Sequence, residues 1–169
     1  MVERFLALAE AEYSHSIGVA LHALGRRGRA EAAWTRAVMQ DPGHAEALWC
    51  LAMTSLEDVL SGSTDETARR GALAEAARRL ANVRMLDPGF APGWTLGAVV
   101  EGLRGDCDYA QRLADGWRER PWWRQRNFPA ETGTGAGFSA SIGRRRLVRA
   151  VRPELSLDGL AARCGVRFD

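Results

Sequence analysis

Apolar side chains recur at helical spacing along most of the chain. Phe5, Ala9, Tyr13, Ile17 and Leu21 follow one another at four-residue steps, with Leu8, Ala20 and Leu24 beside them. That spacing predicts an amphipathic helix over 2–24. Comparable patterns predict further helices at about 29–40, 45–60, 68–86, 91–104 and 107–119. No stretch alternates with a period of two for long enough to form a strand, so the expected fold class is all-α. Two of the breaks are Asp41-Pro42 and Asp87-Pro88. The residue before proline disfavours the α region and proline lacks the donor needed to continue a helix. Helices joined by links this short pack as antiparallel neighbours.

The breaks belong to an internal repeat. Gly25, Ala30, Met39, Asp41, Pro42, Gly43 and Ala45 recur 46 residues later as Gly71, Ala76, Met85, Asp87, Pro88, Gly89 and Ala91, without a gap. A third, partial copy keeps Gly105 and Ala110 five residues apart. Self-similarity on this scale is the signature of a helical array. Small residues at Ala30, Ala76 and Ala110 let paired helices approach closely, and Trp34 and Leu80 fill the space beside them.

Residues 11–117 thereby resemble tetratricopeptide repeats, whose pattern combines a tryptophan-bearing first helix, an alanine, an aromatic and a closing proline. Gly18, Leu21, Gly25, Ala30, Trp34, Ala37 and Pro42 match one repeat. Leu48, Leu51, Ala52, Gly71, Ala76, Leu80 and Pro88 match a second. Trp94, Ala98, Gly105 and Ala110 match the start of a third, where Trp122 stands in place of the closing proline. The resemblance implies an α-solenoid of antiparallel helix pairs over 1–117, in which the first half of the 2–24 helix is a capping extension. The second repeat is about twelve residues too long for the family period. Its surplus near 61–70, around Ser61-Gly62-Ser63-Thr64-Asp65-Glu66-Thr67, reads as an extended loop between helices.

Composition changes the picture at one point. All 23 basic residues are Arg, which together with abundant Ala and Gly fits a GC-rich coding sequence. Up to Trp117 there are 12 Arg against 16 acids, and after it 11 Arg against 5 acids. Residues 118–169 therefore form a basic, Arg/Trp/Gly-rich segment, expected to be partly helical. Its basic patch comprises Arg124, Arg126, Arg144, Arg145, Arg146, Arg149 and Arg152, near Trp122 and Trp123. Arg beside aromatics suits phosphate and base contact. Attraction to the acidic array or simple solvation accounts for the same residues. Gly133, Gly135 and Gly137 follow no predicted strand and lead into Arg144-Arg145, so both nucleotide fingerprints fail and a flexible linker is expected.

Cys50, Cys107 and Cys164 are odd in number and far apart, with no C-x-x-C. Neither a disulfide framework nor a zinc knuckle is expected from them. No apolar run reaches membrane-spanning length, and Met1-Val2-Glu3-Arg4-Phe5 lacks the character of a signal peptide. A cytoplasmic location is expected.

The resemblance also implies a concave face lined by the first helix of each pair. Here that face would present Glu12, His15, Val19 and His22, then Glu46, Trp49, Met53 and Glu57, then Thr95 and Val99. Trp49 and Met53 at its centre suit an amphipathic helix or extended peptide with basic character. They equally suit packing against a folded-back C-terminal segment. His15 and His22 lie about 10 Å apart along a helix, too far to share a metal ion. With no third ligand at metal spacing, neither metal nor cofactor is expected. No nucleophile–base pair supports catalysis.

The expected function is that of a protein–protein interaction module, a small adaptor or assembly factor holding a partner peptide or helix in its groove. Two other classes remain open. Bacterial arrays of this family accompany glycosyl- or sulfo-transferase domains, which implies an accessory or truncated region of such a system. A nucleic-acid-associated regulator would instead use the Arg-rich end.

Overall fold

The computed structural model describes residues 2–62, 65–118 and 163–165. Six helices follow in order: α1 (Val2–Ala23), α2 (Arg27–Gln40), α3 (Ala45–Ser61), α4 (Glu66–Leu86), α5 (Ala91–Arg104) and α6 (Cys107–Arg118). There is no strand among the described residues, which are all-α. No described helix is long and apolar enough to cross a membrane. The chain divides into two compact units, Met1–Asp87 and Pro88–Asp169.

In the first unit, α1 packs along α2, α2 along α3, and α3 along α4. The α1–α2 pair is antiparallel: Ser14 Oγ donates to Gln40 Oε1 at 3.0 Å, while Gly18 faces Trp34. The α3–α4 pair is tied by Arg79, whose guanidinium donates to the Leu51 carbonyl at 2.9 Å and to Ser55 Oγ at 3.1 Å. Ala30 and Ala76 have no exposed surface, and neither do Trp34 and Leu80 one turn later. The small-then-large pattern of the repeat is thus the packing ridge of α2 and of α4. Helix α3 is buried continuously over 47–54, as expected of a helix apolar around its whole circumference.

The helix ends alternate between two devices. After α1, the Gly25 N–H bonds to the His22 carbonyl and the Arg26 N–H to the Leu21 carbonyl. After α5, Gly105 and Asp106 make the same pair of bonds to Gly102 and Glu101. Both glycines are left-handed, with φ of +72° and +91°, as this reverse turn requires. Helices α2 and α4 end instead at Asp41 and Asp87, whose N–H groups close on the Ala37 and Val83 carbonyls, with φ of −133° and −130°.

Three sequence expectations are corrected. The stripe from Phe5 through Tyr13 does not face the core. Phe5 and Tyr13 are 72 % and 70 % exposed, whereas Ala11, Ser14 and Gly18 form the buried ridge of α1. Only small residues on α1 leave room for Trp34. The surplus of the second repeat is not an extended loop, because α3 and α4 are separated only by 62–65. Asp65 caps α4 by accepting from the Ala68 N–H at 2.7 Å, and Glu66 pairs with Arg69 and Arg70 in the first turn. The extra residues lengthen the helix. Accordingly Gly71, the formal counterpart of Gly25, sits inside α4, and Gly62 takes the left-handed position.

In the second unit α5 packs along α6. Trp94 donates from Nε1 to the Pro88 carbonyl at 3.1 Å and lays its ring against Gly116. Ala98 and Ala110 are fully buried. The third correction concerns the thiols: Cys107, at the start of α6, is disulfide-bonded to Cys164.

Candidate functional site

The residues that converge most closely lie where α1 runs beside α3 in the first unit. His15 approaches Cys50 and His22 approaches Glu57, in each case a partner 35 residues further along the chain. A constant separation means that the two helices run parallel at this seam. Side chains three, four or seven apart share one helix face. Thus Glu12, His15 and His22 project from α1 towards Glu46, Cys50 and Glu57 of α3.

At the lower end of the seam, His22 Nε2 lies 2.9 Å from Glu57 Oε1, and the His22 ring rests against Trp34 with centroids 5.6 Å apart. Arg27, the first residue of α2, completes this group. Its guanidinium lies 2.6 Å from Asp58 Oδ1 and 3.4 Å from Glu57 Oε2, and also donates to the Thr54 carbonyl. Burial opposes the charge on Arg27. The hydrogen bond to Asp58 and the charges of Asp58, Glu57 and Glu31 outweigh it and hold its pKa above the ordinary value. This end is an ion-pair network that ties the α1–α2 turn to α3, within which Arg27 Nε is buried without a hydrogen-bond partner.

The upper end centres on His44 and His15. His44 is the N-cap of α3 and accepts from the Ala47 N–H through Nδ1 at 3.3 Å. Its Nε2 is buried and makes no hydrogen bond. The nearest carboxylate oxygen, Glu12 Oε1, is 3.6 Å away. The His15 ring lies against the His44 ring at a centroid distance of 4.8 Å and an interplanar angle of 48°. His15 Nδ1 is 4.0 Å from Glu46 Oε2, and its Nε2 is 3.8 Å from the Cys50 sulfur. One donor atom each from Glu12, His15 and His44 falls within 4.8 Å of the other two. Burial pushes the Cys50 thiol well above its usual pKa, which keeps it protonated and unsuited to thiolate chemistry.

Of the groove residues expected from the sequence, Glu12, His15, Val19, His22, Glu46 and Glu57 retain exposed surface along this seam. Trp49 and Met53 do not, at 4 % and 1 % exposure. They are core residues of α3, because this central helix is covered over most of its circumference. On α5, Val99 is buried, while Thr95 is half-buried and returns its hydroxyl to the Ala91 and Pro92 carbonyls. The basic patch of Arg124, Arg126, Arg144, Arg145, Arg146, Arg149 and Arg152 lies outside the described residues.

His44, Arg27 and Asp58 are participants that sequence reasoning missed. His44 directly follows Asp41-Pro42-Gly43, so its capping position was legible. Its approach to His15 was not, since that depends on how α1 is set against α3. No family model matches the chain, and no curated protein matches it.

Proposed function

We propose that the protein is an interaction module built as a tetratricopeptide-like array, acting as a small adaptor without chemistry of its own. Two features support the array. Antiparallel pairs α1–α2 and α3–α4 follow one another. The first helices of the two pairs meet at a separation of 35 residues, close to the repeat period of about 34 residues.

The observation that carries the binding role is the outer face of α1. Val2, Phe5, Leu6 and Tyr13 are all more than half exposed, on the side of the helix away from Ala11, Ser14 and Gly18. A contiguous apolar stripe differs from the scattered exposed residues of an ordinary surface and marks a contact site. Glu3, Glu10 and Glu12 flank it. An apolar stripe edged with acids suits an amphipathic helix with basic residues along its margins. This moves the partner surface from the buried Trp49 and Met53 to α1 and its acidic margin.

The test is affinity capture from nuclease-treated lysate with the full chain and with Phe5→Glu/Tyr13→Glu. Both positions are exposed, so melting is expected to be unchanged. A protein partner held by the parent chain and lost with the double variant supports the reading. Retention by both forms, or no protein captured from the nuclease-treated lysate, overturns it.

A further inference from the structure

We propose that Glu12, His15 and His44 form a binding site for a divalent transition-metal ion of the zinc, cobalt or nickel type. The site goes beyond the interaction role and does not depend on it. Glu12 and His15 lie three residues apart on one face of α1, an arrangement that directs a carboxylate and an imidazole to the same point. His44 reaches that point from the start of α3. The three donor atoms lie within 4.8 Å of one another. Bonds of about 2.0–2.2 Å around a tetrahedral ion place donors roughly 3.4 Å apart, so the widest separation has to close by up to about 1.4 Å. Glu12 Oε1 is already 3.6 Å from His44 Nε2, and its side chain, 70 % exposed, has room to adjust.

A second observation points to a ligand independently of this spacing. His44 is 94 % buried, and its Nε2, facing Glu12, has no hydrogen-bond partner. A buried polar atom without a partner is costly, and coordination would satisfy it. The His15 and His44 rings are tilted at 48° to one another rather than stacked. The donor set of two imidazoles and one carboxylate prefers borderline ions over calcium or magnesium. The exposed side of Glu12 leaves room for water as a fourth ligand. Glu46, 4.0 Å from His15, adds negative charge beside the ion.

Binding changes the state of His44. Nδ1 accepts the Ala47 N–H, so the neutral ring carries its proton on Nε2. Coordination through Nε2 moves that proton to Nδ1, and the long 3.3 Å capping bond is given up. Ion binding and the cap of α3 are therefore coupled.

The experiment is calorimetric titration of the untagged, metal-stripped full chain with Zn²⁺, alongside the visible spectrum of its Co²⁺ complex. The expected result is one ion per chain and a Co²⁺ spectrum with nitrogen and oxygen ligands. Affinity should fall at least about tenfold in Glu12→Gln and in His15→Gln. Glu12→Gln alters an exposed side chain and keeps the test valid if a His44 variant fails to fold. His22→Gln breaks the pair with Glu57 and should leave Zn²⁺ affinity unchanged. Absence of saturable binding, full affinity in both Glu12→Gln and His15→Gln, or loss of binding in His22→Gln would each overturn the proposal.

Discussion

A β-carbon on Gly18 would lie 2.3 Å from Nε1 of Trp34. The two residues therefore specify each other: the α1–α2 pair closes over a fully buried indole only because α1 carries no side chain at that point. The same indole N–H has no acceptor, so the contact is held by shape and apolar burial. Gly18→Ala should destabilise the protein by about 1–3 kcal/mol through overpacking, read as a lower midpoint in chemical denaturation. In a Trp34→Phe background the penalty should shrink, giving a measurable coupling in a double-mutant cycle. Equal penalties in both backgrounds would contradict the contact.

Acid should weaken α4 through Glu75. Hydrogen bonding from Arg78, at 2.7 and 2.9 Å, together with the charges of Arg79 and Arg78, outweighs partial burial and holds the Glu75 carboxyl below its ordinary value of 4.5. A depressed folded-state value contributes stability that is present above 4.5 and lost as pH falls through the folded value. Because the side chain is about one-third exposed, the pair is worth at most about 1 kcal/mol. Glu75→Gln should therefore lower stability at neutral pH and match the parent chain at strongly acidic pH. A difference that persists in acid would mean that the side chain acts by packing.

Cysteine chemistry separates the two compact units. Peptide mapping of protein prepared without reductant should recover Cys107 linked to Cys164, a pair 57 residues apart in sequence. Closing a loop of that length stabilises by up to about 4 kcal/mol on the chain-entropy account. Cys50 should resist alkylation until the protein is unfolded, since it is 2 % exposed and burial raises its thiol pKa. Three freely alkylated cysteines in the native protein would contradict both statements. The result also bears on location, because such bonds persist chiefly in oxidising compartments.

What the sequence determined by itself was largely local. Asp41-Pro42 and Asp87-Pro88 stop helices wherever they occur, and left-handed Gly25 and Gly105 allow the chain to turn back. Expectations of 45–60, 91–104 and 107–119 accordingly fall within a residue of α3, α5 and α6. The buried alanines Ala30, Ala76 and Ala110 were legible for the same reason, as a recurring small residue before a bulky or apolar position.

Only the tertiary structure decided which face each helix buries and which distant residues meet. Period alone favoured Phe5, Ala9 and Tyr13 as the packed stripe of α1, but the bulk of Trp34 selects the ridge of Ala11, Ser14 and Gly18 instead. Trp49 and Met53 read as groove residues until α3 proved to be covered over most of its circumference. His44 meets His15, and Cys107 meets Cys164, through the placement of elements far apart in the chain. A helical pattern records spacing along one axis. The neighbour that a face will meet depends on the size and position of side chains contributed by other segments.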